Sequence, residues 1–554
     1  MSINNLSRRH FLQTAFYSSV AYGAGALPLL SPNAQATPVP LKNRILIDLF
    51  LNGGPDMRHL IVPAFDATED SFGDKYWSNR SRSHSLAITG QTAQQRWDND
   101  YYPITVGGNN WSGGLVDAGG LNSGVTFGIW REAGWLIDMF RSGNVALIFN
   151  AVGGTNGAHD LSQLMMYQGD VLASLNNQER SGWGGRLARS AGGNPIALTS
   201  SPSPFTFGPV GNAPDFSLNG IDNSDLIVFD DTRDIGLYDP GVLNYPYFDF
   251  GGKMARSAKS YYAALRTEQI SHAYQKFLSH EYKVRQFGEA IKQRIDSTPI
   301  PDLIQALYSE VIGINPYPDN EGTGRRVLRW DNLGRQIRNS YDMIAWNDVS
   351  VTIGNEILSL APRVLSMSFG DGGWDSHENQ RQIPAGLASD PNDPYLDRGI
   401  ENGFRDIFGG QFGSTPSNSL ALHGALSALW ASLSAADRNQ IVITIAGEFG
   451  RQIRDNGTGG TDHGRGNLMF VISERCAGGV YGAMFPQDEI VKYDEAPNRT
   501  PDITPRTEID QFFAKVCEWV VPGSATSVFP RMSPGYSGDA PLIEIPGMFN
   551  DLLS

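Results

Sequence analysis

Cysteine is nearly absent from this sequence. Two residues among 554, Cys476 and Cys517, build neither a disulfide framework nor a CxxC metal knuckle, so at most one bridge can form, and only in an oxidising compartment. Histidine is scarce as well, with nine in all, and any imidazole-rich site must draw on few positions. Charged residues reach only 18% and their balance is acidic, formally −15. No Lys/Arg-rich run follows residue 36. A chain of that sign repels phosphate backbones and anionic lipid, which argues against nucleic acid as a partner. Beyond the N-terminal segment no stretch reaches the ~18 consecutive apolar residues of a membrane span.

What is there is globular. Hydrophobic residues make up 40% and aromatics 10%, enough for a large core, while 62 Gly and 32 Pro imply long excursions between core elements. The first residues are of another kind. Ser7-Arg8-Arg9-His10-Phe11-Leu12 is followed by a mildly apolar stretch from Thr14 to Leu30 and by Ala34-Gln35-Ala36. Paired arginines, a short apolar region and a small-x-small triplet make a twin-arginine (Tat) signal with cleavage after Ala36. This predicts the Tat translocase as a partner during export and a periplasmic or secreted mature chain. Tat export carries folded proteins, many of which take up a metal or cofactor first.

The run Arg44 to Leu51 is apolar and ends in Asn52-Gly53-Gly54-Pro55-Asp56. Similar short runs recur at Val145 to Phe149, Val364 to Phe369, Ile441 to Ala446 and Leu468 to Ile472, and strands apolar on both faces belong to buried sheets. Helical spacing appears at Trp130 to Arg141, Leu420 to Leu433 and Glu508 to Val520. The alternation predicts an α/β fold, a doubly wound, mostly parallel sheet with helices on both faces. Residues 1–36 are read as the signal and 37–554 as one domain. Two insertions are expected in it, an irregular one at about 66–125 and a helical one at about 255–300.

In such sheets functional groups collect beyond the carboxyl ends of the strands. Four glycine-cushioned loops carry metal-ligating side chains there: Asp56, then Asp375 and His377 in Gly-Gly-Trp-Asp-Ser-His, then Glu448 in Gly-Glu-Phe-Gly-Arg, then Asp462 and His463 in Gly-Gly-Thr-Asp-His-Gly. Mixed carboxylate and imidazole sets hold zinc, manganese, magnesium or calcium, with imidazole favouring transition metals. One such Asp-His pair is ordinarily a loop hydrogen bond. Two pairs plus Asp56 at matched strand ends favour one or two divalent ions. Arg451, beside Glu448, either binds a substrate oxyanion through its planar fork or pairs with an acidic neighbour.

These motifs resemble the secreted bacterial family named domain of unknown function 1501, over roughly Ile45 to Val520. That family is similar to the alkaline phosphatase superfamily, whose members share a doubly wound sheet and a two-metal site that hydrolyses phosphate or sulfate esters. The resemblance implies an alkaline phosphatase-like domain in which Asp56, Asp375, His377, Asp462 and His463 are metal ligands. Glu448 and Arg451 have no secure counterpart. The nucleophile falls in Gly153-Gly154-Thr155-Asn156-Gly157-Ala158-His159, where Thr155 with His159 is similar to the Thr-x-x-x-His pattern of nucleotide pyrophosphatases. Relatives with a serine at this point would align it with Ala158, and Ser162 is a weaker substitute. No histidine follows His463, which departs from members that use a late one. The expectation is an exported metal-dependent hydrolase of small-molecule or glycan esters, with Thr155 as nucleophile. The alternative is a non-catalytic exported protein that keeps the fold and a metal, or associates with a surface partner.

Overall fold

A computed structural model of the chain describes residues 43–152, 154, 157–170, 173–175, 180–199, 201–210, 221, 226–233, 288–308, 331–353, 356–370, 372–378, 380–381, 399–410, 424–493, 502–530 and 548–549. The signal segment, Thr155 and most of the helical insertion expected at 255–300 lie outside these residues; from that insertion, 288–297 is helical.

Ile45–Leu51 (β1) is buried at every position, as a strand covered on both faces must be. Nine further strands share its sheet: Val116–Ala118 (β2), Val145–Val152 (β3), Asn194–Ala197 (β4), Ile227–Val228 (β5), Pro362–Phe369 (β6), Ile441–Gly447 (β7), Gly466–Ile472 (β8), Gly479–Tyr481 (β9) and Thr507–Glu508 (β10). Their spatial order is β2-β9-β3-β8-β7-β1-β6-β4-β5, with β10 beside β3. Neighbours run parallel except at β8, which is antiparallel to both β7 and β3. The sheet is therefore mostly parallel, as the doubly apolar runs predict.

The helices used below are Gly134–Arg141 (α1), His159–Gln168 (α2), Trp183–Ser190 (α3), Asp331–Ala345 (α4), Ile400–Phe408 (α5), Ala425–Ser432 (α6) and Ile509–Val520 (α7). Side chains alternate across a strand, and β1 sends Ile45, Ile47, Leu49 and Leu51 to one face, where they join Leu136, Ile337, Phe404 and Leu429 of α1, α4, α5 and α6. Leu46 and Phe50 point the other way, into a core with Tyr167, Trp183 and Phe513 of α2, α3 and α7. Helices thus cover both faces. Asp48 is the exception in β1: it lies on the second face and accepts a 2.7 Å hydrogen bond from Thr444 Oγ1 of β7.

The span expected to be irregular, 66–125, is ordered. It carries helices Phe72–Asn79 and Ala93–Asp100, and Tyr101–Thr105 pairs with Thr126–Trp130 in a three-stranded antiparallel sheet completed by Ile61–Pro63. Aromatic packing holds it: Trp77 meets Tyr76 edge-on, and Trp97 stacks on Tyr101. Such contacts leave no periodic trace in sequence. Cys476 and Cys517 are both buried and form no disulfide with each other. Among the described residues no helix is long and apolar enough to cross a membrane.

Candidate metal centre

Five adjacent strands, β3-β8-β7-β1-β6, meet at one edge of the sheet. The registers place Leu51 of β1 level with Phe369 of β6 and Gly447 of β7, and Val152 of β3 level with Gly466 of β8. Because β8 is antiparallel, its amino end lies at the carboxyl ends of the other four. The chain leaving β3, β6 and β7 and the chain entering β8 therefore converge above neighbouring strands about 4.8 Å apart.

Three imidazoles and one carboxylate come together there. His159 is the first residue of α2, Asp375 and His377 follow β6, and His463 lies on the short strand Thr461–Gly464, paired opposite Arg451. Asp375 Oδ1 is 2.9 Å from His463 Nε2 and 3.1 Å from His377 Nε2, and Asp375 Oδ2 is 3.4 Å from His159 Nε2. His377 Nε2 and His463 Nε2 are 3.0 Å apart. One ligating atom from each of His159, Asp375 and His463 fits within 4.8 Å of the other two. His159 was visible in the sequence only as part of the Thr155 pattern, not as a ligand.

The outer nitrogen of each ring faces an oxygen. His463 Nδ1 lies 2.6 Å from the Gly157 carbonyl, His159 Nδ1 2.8 Å from Glu448 Oε1, and His377 Nδ1 3.2 Å from Asp462 Oδ1. A carbonyl oxygen can only accept, so Nδ1 of His463 carries the proton and its Nε2 presents a lone pair in the neutral ring. Carboxylates do the same for the other two. Lone pairs at 3 Å from one another and from Asp375 repel unless a cation or a proton lies among them. Burial raises the Asp375 pKa, but the contact with His463, the hydrogen bond and charge of Arg451 and the nearby His377 outweigh it and hold the carboxyl below its ordinary range. The group is open: 39% of the His159 side chain, 46% of Asp375 and 41% of His377 are exposed.

Close backbone approach makes this possible. Gly157 adopts φ +70°, and a Cβ there would stand 2.9 Å from His463 Cβ. At Gly460 a Cβ would lie 2.1 Å from the His377 carbonyl carbon, so only glycine lets the hairpin seat against that loop.

The remaining expected residues are placed around the cluster. Asp56 is buried and paired with Arg80, with Thr461 Oγ1 3.3 Å from Oδ2. Burial pushes the Asp56 pKa up, and the charge of Arg80, with smaller help from His59, brings it below the ordinary value. Asp462 stands behind His377 and also accepts from Asn456 Nδ2 at 3.2 Å. Arg451 is buried, its fork closed on the carbonyls of Gly53, Gly54, Trp374 and Thr461 and on Asp375 Oδ1 at 2.7–3.0 Å. The structure thus unites Asp375, His377 and His463 with His159, sets Glu448 and Asp462 behind two of the imidazoles, and gives Asp56 an arginine partner instead.

Comparison with protein-family models, with curated proteins and with solved structures found no match.

Proposed function

We propose that this chain is an exported, divalent-metal-dependent hydrolase of phosphate or sulfate esters, with its metal held by His159, Asp375 and His463 and joined by His377. The observation that carries the reading is the convergence of imidazole lone pairs on one carboxylate. A tetrahedron of ~2.0 Å bonds has ligand-to-ligand edges of roughly 3.3 Å, and the contacts made by Asp375 and between His377 and His463 run from 2.9 to 3.4 Å. Three imidazoles and one carboxylate are a donor set that favours zinc or another transition ion over magnesium or calcium. The solvent exposure of the group leaves one side of the ion accessible, so that an ester oxygen can join these four donors by expansion to five-coordination.

A divalent ion in this place supplies Lewis acidity toward an ester's oxygens. The chain's own groups orient it: Gly157, Glu448 and Asp462 fix which nitrogen of each histidine faces inward. The glycine-rich motifs, similar to those of an alkaline phosphatase-related family, and the mostly parallel sheet favour an alkaline phosphatase-like fold and ester chemistry, with Thr155 as the group to test for nucleophilic attack.

The test is metal analysis of the purified, signal-processed protein, expected to find one or two transition ions and an amino terminus just after Ala36. Asp375→Ala and His463→Ala should each lose most of the metal, and turnover of aryl phosphates or aryl sulfates should fall with it. Turnover unchanged after metal loss refutes the mechanism. A second reading, a metal-binding exported protein without turnover, is favoured by Arg451, whose fork is engaged with backbone carbonyls and Asp375 instead of being open to a substrate anion. Bound metal with no turnover on either ester class would select it.

A further inference from the structure

Glu448 was expected to bind metal directly. Its side chain is fully buried, at 0% exposure, while the His159 ring beside it is 39% exposed. Oε1 already accepts from the Gly53 amide at 2.8 Å, faces His159 Nδ1 at 2.8 Å and lies 3.4 Å from Gln163 Nε2. Glu448 is not among the residues whose ligating atoms group within 4.8 Å. Its Oε2 is buried and has no hydrogen-bond partner among the described residues.

Resting on the metal reading above, we infer that Glu448 is a positioning residue: a carboxylate behind His159 that accepts a hydrogen bond from Nδ1–H and thereby presents Nε2 to the ion. Three features support this. His159 begins a helix, and among the described residues its nitrogens meet only Glu448 and Asp375, so without Glu448 either tautomer and a flipped ring become available. Gln163 lies one helical turn on, on the same face of α2, and points at the same oxygen, so Glu448 anchors the first turn that carries His159. On the other side Glu448 follows β7, whose last carbonyl, Gly447, accepts from Asn467 Nδ2 at 3.0 Å, and the Gly53 amide ties it to the loop after β1. The carboxylate is thus fixed to the sheet while the histidine is fixed to it. A carboxylate acceptor also raises the basicity of an imidazole ligand, and removing such partners typically weakens metal binding by about 10- to 100-fold.

The experiment uses the full mature chain and zinc. Chelator competition gives the zinc dissociation constant for the wild type, Glu448→Gln, His159→Ala and the double variant. Cobalt absorption spectra report the ligand field. Glutamine keeps the shape and an acceptor oxygen but not the charge. We expect Glu448→Gln to retain its unfolding midpoint within a few degrees, to bind zinc about 10- to 100-fold more weakly and to shift the cobalt bands. In the double variant the loss should be no greater than in His159→Ala alone, because the carboxylate acts through that ring. Wild-type affinity with an unchanged spectrum in Glu448→Gln overturns the inference, as do losses that add in the double variant. A zinc-loaded crystal structure of the wild type decides it without any variant: a Glu448 oxygen within ~2.2 Å of the ion makes it a ligand and sinks the positioning role alone. Absence of zinc from the wild type sinks the metal reading beneath it.

Discussion

Asp48→Asn should stabilise the protein at alkaline pH and make little difference in acid. Asp48 lies in the middle of β1, buried against the helical layer that contains Tyr167, with one hydrogen bond from Thr444. Burial pushes its pKa from 3.8 to about 7, against the smaller opposing effect of the Thr444 hydroxyl. Between those two values the folded chain keeps a proton that the unfolded chain has released, so this group's contribution is full below pH 3.8 and is lost as pH rises toward 7. About three pK units at ~1.4 kcal/mol each make the cost on the order of 4 kcal/mol above that window. Asparagine keeps the acceptor oxygen for Thr444 and cannot ionise. Urea unfolding of both proteins at pH 4 and pH 8.5, with chelator present to remove any metal contribution, gives the stability difference at each pH. The advantage of the variant should grow by on the order of 4 kcal/mol between the two conditions, with most of the rise between pH 4 and 7. A difference that is flat with pH, or a variant less stable than wild type at pH 8.5, refutes the reasoning.

Two further outcomes follow from the arginines around the centre. Arg451→Lys keeps a charge but loses the fork that closes on four carbonyls and Asp375; with buried acceptors left unpaired at about 1–3 kcal/mol each, it should lower the unfolding midpoint and weaken zinc binding together. If Arg451 instead holds a substrate oxyanion, KM for an aryl ester rises while the midpoint stays put. Asp56→Ala leaves Arg80 buried without its partner and should cost about 3–5 kcal/mol, whereas replacing the pair together with Asp56→Leu and Arg80→Met should recover much of that loss. Zinc affinity in the folded double variant should match wild type, and a large drop there would return Asp56 to the ligand set.

The core of this fold is legible because a buried parallel strand has a simple signature. Runs such as Ile45 to Leu51 and Ile441 to Ala446 are apolar at nearly every position and end in glycine, and each became a strand within a residue or two of its expected bounds. The antiparallel sense of β8 was not legible, since Leu468 to Ile472 reads the same in either direction. Helical spacing runs from Trp130 to Arg141, yet Thr126–Trp130 is a strand and the helix starts at Gly134, because Trp130 pairs with Tyr101, a partner in a segment with no periodicity to reveal it.

The site was legible in its chemistry and less so in its membership. Asp375, His377 and His463 carry their own signal, glycine-flanked ligands past strand ends, and the structure brings them together. Asp56 carries the same signal and is bound elsewhere, because a carboxylate in a tight turn serves a buried guanidinium as well as a cation, and Arg80 sits in the insertion whose fold rests on aromatic contacts. His159 had the converse fate. Its distance from His463 along the chain is large, and only the adjacency of β3 and β8 makes them neighbours. A single sequence specifies each strand's burial but not which strand lies beside it, so a ligand delivered by β3 stays hidden until β8 is seen to run antiparallel between β3 and β7. That one reversal carries His463 to the carboxyl edge of the sheet, where His159 and Asp375 already are.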